Sequence, residues 1–543
     1  MAGIACAGVL HIGSLLAQEV PPSYPVRGVV LNSVTRQPIA RVLVDGREDA
    51  VLTNSEGHFE LKLSEGTTQI SIRRPGYNST GFGAQHLVKV GANAPDLTFY
   101  LSPEAAISVH VSLSSGDEID GIRFVEYRRQ VFNGRGSWVP QGTFNTDSEG
   151  NLHLVNLDAP SSYMVCSMAF QEATGVAPDK ATYGYSSGCL PDGSEPAGAS
   201  PVSLAAGQQA QFEFTLARQR FYPVSIAMPS RVEAQAGVGI QIHDQSGRPT
   251  GLPAHWNQEH QAFEARLPSG SYYAEANVGG KAPSYGRLDF HVSDGPVSGL
   301  SITVSPLKPV PVQIRRDFTE SDNSQQGLVL ISGSSDPGPG VNLNLVSADS
   351  LTGGVGGSGL RRVEGSRDST LFEMDNVKPG RYWVQANAFQ GYVSSIASGG
   401  VDLARDPLVI GPGNSTTPIE ITLRNDAGSI SGTINQSPAT GPGANGSAPG
   451  EMGAVFLYTI PLFSSAAQIT ETRTGDAGRF GVGNLAPGSY LVVAFDKPQE
   501  IEMGEPQALA RFAGKGQTVS VSAGGTASVQ LDLILTAGEE PAP

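Results

Sequence analysis

The residues able to do chemistry in this chain are few, and most are poorly spaced for it. A zinc hydrolase needs paired His and Glu ligands at fixed spacing plus a general-base Glu. None of the nine histidines opens an H-x-x-E or H-E-x-x-H pattern. The nearest approach is His255-Trp-Asn-Gln-Glu-His260. A spacing of five puts the two rings on opposite faces of a strand and out of line on a helix. Gly184-Tyr-Ser186-Ser-Gly188 satisfies G-x-S-x-G, but a nucleophile elbow has to sit between a buried strand and a helix. Its flanks, ATYGYSSGCLPDGSEPAG, read as loop. Gly354-x-Gly356-x-x-Gly359 matches the dinucleotide fingerprint as a string. The following LRRVEGSRDSTLFEM reads as strand and turn, which leaves no helix N-terminus for a pyrophosphate. Asn145-Thr-Asp147-Ser-Glu149-Gly150 places oxygen ligands at alternate positions, as a calcium loop does. Its twelfth position is Asn156 where a bidentate Glu is required, so a plain β-turn is expected. No catalytic residue, no metal ligand, no cofactor and no enzyme activity is expected.

The cysteines carry one more possibility. The N-terminus, MAGIACAGVLHIGSLLAQEVPPSYP, has an apolar run from Ala2 to Ala17 that Gln18-Glu19 and two prolines end. It reads as the apolar core of a secretory signal over residues 1–19, with cleavage near Ala17. No Lys or Arg precedes the run, and Leu15 stands where a small residue is favoured; the other reading is a buried N-terminal segment. Of the three cysteines, Cys6 lies in this segment, so a cleaved chain keeps Cys166 and Cys189. An even pair is usable in an oxidising compartment, and a Cys166–Cys189 disulfide is expected, against free thiols at both.

Charge excludes one class of partner. A net charge of −16 argues against nucleic acid, whose phosphates need clustered Lys and Arg. Arg73-Arg74, Arg128-Arg129, Arg315-Arg316 and Arg361-Arg362 read as separate, solvated strand ends and not as a patch. No later stretch is long and apolar enough to span a bilayer, so no transmembrane segment is expected in the mature chain.

The elements that must position these residues are short strands. From Val26 to Tyr77, alternating runs at 26–31, 41–44, 58–63 and 69–72 are separated by turn residues, the pattern of half-buried strands in a small antiparallel sandwich. This stretch resembles the carboxypeptidase regulatory-like domain, a transthyretin-like (prealbumin-like) sandwich related to CnaB modules of surface proteins. The likeness rests on Gly28-x-Val30, Thr35-x-x-Pro38-Ile39-x-x-Val42, Thr53-Asn-Ser-Glu-Gly57-x-Phe59, Gly66 and Pro75-Gly76-Tyr77. It implies a binding or spacer module more than an active site.

A chain of 543 residues exceeds one hydrophobic core, and length gives roughly three to five domains. The abundance of Gly, at 67, and Pro, at 38, suits many short strands and turns. Two signals recur beyond the first module. One is a Pro/Gly turn before a Tyr that opens a strand: Pro160-Ser-Ser-Tyr163, Pro268-Ser-Gly270-Ser-Tyr272, Pro379-Gly380-Arg-Tyr382 and Pro487-Gly488-Ser-Tyr490. Tyr272, Tyr382 and Tyr490 are expected in equivalent core positions. The other is an alternating terminal strand, as in Phe212-Glu-Phe214-Thr-Leu216 and Val529-Gln-Leu531-Asp-Leu533. The expected fold is all-β, a tandem array of about five small antiparallel β-sandwich modules. Boundaries fall near 24–103, 104–219, 220–306, 307–425 and 426–536, with a disordered tail at 537–543. Linkers this short suggest a semi-rigid row of beads. The Gly/Pro/Ser-rich tracts Ser350–Gly359 and Pro438–Gly450 are expected as mobile loops, either binding loops or tolerated insertions.

The resemblance carries two further tests. CnaB-type modules can lock a Lys to an Asn through an isopeptide bond beside a buried acid; only Lys308, Glu373 and Asn425 stand in suggestive order, and Lys308 sits at a linker. Sugar binding, also associated with this fold, needs exposed aromatic platforms. Trp138, Trp256 and Trp383 are the only tryptophans, and core packing or sheet cover is expected for them. The reading is an exported, non-enzymatic protein with a binding or spacer role at a bacterial cell envelope, secreted, periplasmic or on the surface. Its partner is an envelope protein or a glycan of unidentified kind. The alternatives are an accessory subunit or non-catalytic fragment of a secreted enzyme, and a purely structural spacer.

Overall fold

The computed structural model describes residues 22–78, 85–92, 94–117, 121–132, 134–172, 181–193, 198–228, 237–280, 282–319, 338–349, 355–435, 455–463, 466, 468–474, 478–496, 499–502, 512 and 514–534. The signal segment, the tract 438–450 and the C-terminal tail lie outside them. The described residues are almost wholly strand and turn, with one 3-10 turn at Pro412–Asn414.

One arrangement occurs five times. The first strand of each repeat lies between a middle strand and, in parallel, the terminal strand. Ser23–Asn32 lies between His58–Ser64 and Leu97–Leu101. Ala105–Leu113 lies between Asn151–Leu157 and Gln209–Leu216. Arg218–Ala227 pairs with Ala262–Leu267 and Val297–Ser301. Val310–Asp317 pairs with Leu371–Met374 and Ile419–Arg424, and Gly428–Asn435 with Arg479–Leu485 and Thr526–Ile534. Parallel neighbours need a long crossover, and here the crossover is a second antiparallel sheet. In the first repeat that sheet runs Ala50–Leu52, Leu43–Asp45, Gly66–Arg73, Gln85–Val90. Each repeat is a small sandwich, and in the last one Thr526–Ile534 also pairs with Gly488–Phe495, joining the two layers at one side.

Alternation fills the space between the sheets. His58–Ser64 reads exposed, buried, exposed along its length, and Phe59, Leu61 and Leu63 meet Val26, Val30, Val44, Ile70 and Ile72. Each such side chain, removed from water, contributes about 1.5–3 kcal/mol before the entropy of ordering is subtracted. Where alternation fails, both faces are covered. In Gly488–Phe495, Tyr490, Val492 and Ala494 face the sandwich core. Leu491, Val493 and Phe495 pack outward against Ile501 and Phe512.

Close backbone approach explains the opening glycines. A Cβ on Gly28 would stand 2.2 Å from the Leu97 carbonyl oxygen and 2.7 Å from the Phe59 ring. On Gly432, the equivalent position of the last repeat, it would stand 2.0 Å from the Val529 carbonyl oxygen and 2.7 Å from the Phe480 ring. Gly432→Ala is expected to destabilise by about 1–3 kcal/mol, the cost of overpacking. Gly481→Ala, whose Cβ meets nothing within 4 Å, should stay within about 0.5 kcal/mol. Thermal melts of the two variants check this pair.

Two findings differ from the sequence expectation. Val355–Ser358, inside the tract expected to be a mobile loop, is a strand paired with Val341–Ser347. Its glycines admit neighbours: a Cβ on Gly356 would fall on the Tyr382 ring. Residues 350–354 lie outside the described set. The chain also forms two compact units, Met1–Glu104 with Asn156–Asp158, and Ala105–Val155 with Ala159–Pro543. Within the second unit the repeats are not strung in a row. Arg218–Ala227 pairs along residues 218–221 with Thr182–Tyr185 and along 222–227 with Ala262–Leu267, so positions 219 and 220 lie inside one strand. Arg135, on Arg135–Asn145, lies over the Trp383 ring, 3.4 Å from its centroid, and the neighbouring Arg129 pairs with Glu502.

Candidate functional site

The sequence motifs that imitate active sites resolve into local structure. Asp147 accepts the backbone N–H groups of Glu149 (3.0 Å) and Asn151 (2.7 Å). Asn54 does the same with Glu56 and His58, and Asp244 with Ser246 and Arg248. Gly57, Gly150 and Gly247 follow three residues on, with φ of 77°, 84° and 88°. The calcium-like string is one of three equivalent turns, in which Gly takes the left-handed position. The N–H of Asn151 holds the Asp147 carboxyl below the usual range.

Gly184 sits within the strand Thr182–Tyr185, where a Cβ would meet the Phe170 carbonyl oxygen at 2.3 Å, and no helix follows. His260 pairs with Glu264 at 2.6 Å, while His255 is exposed on Ala254–Asn257. Among the described residues no group of three or more His, Cys, Asp or Glu could hold a metal ion. Lys308 and Asn425 lie beyond opposite ends of Val310–Asp317, because the parallel register pairs Asp317 with Arg424. That separation is roughly 25–30 Å, which precludes a bond between them. Glu373 instead pairs with Arg361 at 2.5 Å.

None of the three tryptophans is an exposed platform. Trp138 packs on the cluster of Tyr127, Met164, Cys166 and Cys189. Trp256 meets Phe263 edge-on at 5.0 Å, and Trp383 is covered by Arg135. Cys166 and Cys189 face each other as an isolated antiparallel bridge, joined by a disulfide and fully buried.

Buried ionisable groups join repeats to one another. Glu275 accepts from Lys378 Nζ at 2.7 Å and from the Tyr285 hydroxyl at 2.9 Å. Burial pushes the Glu275 carboxyl up, but the ammonium and the phenol together outweigh it and hold the group below its usual range. A depressed carboxylate stabilises above its unfolded pKa, near 4.3, and that contribution is lost as pH falls through the folded value. Glu275→Gln is expected to lower the melting temperature at pH 6–7 and to converge on the parent only as the pH falls through the folded value, which lies below the ordinary glutamate range. A melting series across that range checks the sign. Glu126 and Glu500 are shifted the other way by burial, with Arg128 acting against the shift on Glu126 and Arg129 against that on Glu500. On both Glu126 and Glu500 burial outweighs the neighbouring arginines.

Among the described residues, a depression lined by three arginines lies open to solvent. It lies in the first unit and measures about 490 Å³. Leu43 pairs with Leu52 on one side and Arg73 on the other, and Val44 is fully buried, so these three project together from the outward face. Arg41, Arg74, Pro75, Gly76, Tyr77, Glu104 and Asn156 complete the rim. Arg41 takes a left-handed backbone, φ 58°. Thr53 imposes it: its buried hydroxyl donates to the Ile39 carbonyl at 2.7 Å and accepts from the Val42 N–H at 2.9 Å. The Arg41 N–H itself donates to the Thr53 carbonyl at 2.9 Å. The Arg74 guanidinium lies 5.4 Å over the Tyr77 ring. The sequence pairs Arg73 with Arg74 as a strand end; only the fold brings Arg41 to them.

No family model matches the chain. No curated protein matches it. Among solved structures, the Bacillus anthracis TIE protein is 9% identical, with 94% of this chain and 68% of that one covered and a TM-score of 0.14. A streptococcal ancillary pilin is 12% identical over 52% of this chain and 99% of its own, with a TM-score of 0.19. Two B repeat units of the collagen-binding protein of Staphylococcus aureus are 9% identical over 79% and 99%, with a TM-score of 0.15. At these scores the fold rests on the strand pairing above.

Proposed function

We propose that this chain is an exported, non-enzymatic protein of five β-sandwich modules, near 24–103, 104–219, 220–306, 307–425 and 426–536, that binds a partner at a bacterial cell envelope. The observation that supports it most is the fate of the polar groups. Side chains that could serve catalysis are engaged in turns, corners and seams between repeats, while the first unit keeps an open cleft with arginines to spare. A chain built for binding needs a rigid frame and one accessible surface, and that division matches. A purely structural spacer is the second reading, favoured by the contacts Lys378–Glu275, Arg129–Glu502 and Arg135–Trp383 that tie the second unit together.

Envelope extract passed over the immobilised full chain, together with a glycan array, tests the binding role. Reproducible capture of one component supports it. No capture and no array signal leaves the spacer reading. Hydrolysis in a broad peptidase and glycosidase screen of the purified chain would overturn both.

A further inference from the structure

We infer that the cleft of the first unit is a binding site for a carboxylate-bearing sugar, held by Arg41, Arg73 and Arg74 over a floor of Leu43 and Leu52. The inference rests on the binding role proposed above and assigns it a place and a chemistry. Three arginines line one depression in a chain whose net charge is −16. Among the described residues no carboxylate lies within ion-pair distance of Arg41 or Arg74. Arg73 reaches Asp45 only at 3.8 Å, with both side chains exposed, and such a pair contributes little. Glu104 on the rim offsets part of the charge and leaves the cleft a cationic surplus.

Geometry says which anion fits. A guanidinium offers a planar fork that matches a carboxylate in two parallel hydrogen bonds. Beside the arginines the lining is apolar: Leu43 and Leu52, the latter 53% exposed. The Tyr77 ring and Pro75 extend this floor. A pyranose presents apolar C–H faces to such a floor and its carboxylate to the rim. An acidic peptide would be expected to add as a strand, which uses unpaired backbone N–H and C=O groups at a sheet edge. Leu43 and Arg73 lie on the inner strands of this sheet and Leu52 on its edge strand, and all three offer side chains from its outward face.

The backbone holds the site ready. Arg41 is kept in a left-handed conformation that an arginine adopts unfavourably, by three hydrogen bonds through Thr53, whose side chain is buried. Strain of this kind persists where the surrounding structure enforces it, and it sets the direction of the Arg41 side chain before a ligand arrives.

Calorimetric titration of the full chain with a tetrasaccharide of alternating glucuronic acid and N-acetylglucosamine tests the assignment. Saturable binding is expected, weakening with salt as exposed charge pairs do. The carboxyl-reduced tetrasaccharide should bind about tenfold more weakly or not at all. Arg41→Glu and Arg74→Glu should each lose about tenfold or more, with unchanged melting temperatures, while Arg479→Glu in the second unit should bind as the parent does. No binding at about 1 mM sugar overturns the inference. So does equal binding of the neutral analogue, indifference to both arginine changes, or a pentaglutamate peptide that binds more tightly than the sugar. Envelope capture by the parent and by both arginine variants alike would place the binding role elsewhere on the chain and refute only the cleft. Capture by neither would remove the binding role itself.

Discussion

Truncating Tyr490 to Ala should destabilise the last repeat by about 3–5 kcal/mol, the scale of a large aromatic deletion from a packed core. Tyr490 is 1% exposed, and its ring meets Phe463 edge-on with centroids 5.2 Å apart. Its hydroxyl donates to the Ala486 carbonyl, four residues back across the Pro487-Gly488 turn, at 2.6 Å. Tyr490→Phe keeps the ring and loses only that bond, so it should cost about 1 kcal/mol. The wide gap between the two variants is the signature to look for in chemical denaturation of the full chain. The geometry is repeated: Tyr382 donates to Lys378 at 2.9 Å and Tyr272 to Pro268 at 3.1 Å, again four residues back. Each is the third residue of its strand, Gly488–Phe495, Gly380–Ala388 and Gly270–Val278. Burial pushes the Tyr382 phenol up to about 12, and Tyr490 higher still, as expected of hydroxyls sealed behind a turn. A Tyr490→Ala change near zero would mean that the ring does not support the core, and the equivalence of the three tyrosines would fall with it.

That corner was legible in the sequence because its parts are neighbours: a Pro/Gly turn, a Tyr, an alternating strand. The same holds for His58–Ser64, where period two and burial coincide. A further local signal lies in three asparagines. Asn156, Asn376 and Asn484 each adopt φ near 60° just ahead of the turn, a conformation that Asn tolerates better than most residues. Features built from distant positions were not legible. Gly488–Phe495 shows no alternation, since Ile501 and Phe512 cover its second face, and a run apolar throughout does not say what covers it. The strand Val355–Ser358 hides in a glycine tract, because its stability comes from Val341–Ser347 and its glycines admit a ring that arrives from residue 382. The cleft depends on register: Arg73 stands beside Leu43 only because of the pairing between Leu43–Asp45 and Gly66–Arg73. A lone Arg-Arg pair in the sequence carries no trace of Arg41. Contacts between repeats, such as Arg135 on Trp383, join residues 248 apart and leave no periodic mark.

Removing the Cys166–Cys189 pair is expected to cost about 3 kcal/mol, the chain-entropy value for closing a loop of this length. The two residues are separated by 23 positions. The loop between them docks on the strand Ser161–Ser167 by its own hydrogen bonds: Ser167 N–H to the Gly188 carbonyl at 2.8 Å, Leu190 N–H to the Val165 carbonyl at 2.9 Å, and Gly188 N–H to Ser167 Oγ at 3.0 Å. Cys189 and Leu190 are fully buried there, so the loop supplies the second cover that the strand's run Tyr163-Met-Val-Cys requires. Without the crosslink this cover must be ordered from a free chain, and the backbone bonds alone have to offset that entropy. The effect ties stability to compartment, since disulfides persist in oxidising surroundings and are scarce where thiols are kept reduced. Two measurements decide it. Alkylation of the denatured, exported protein should label no thiol before reduction and both cysteines after it. Reductant should lower the stability of the parent by about 3 kcal/mol and leave the Cys166→Ala/Cys189→Ala double variant unmoved. Two reactive thiols before reduction would overturn the disulfide in the exported chain and, with it, the strongest chemical reason to place the protein outside the cytoplasm.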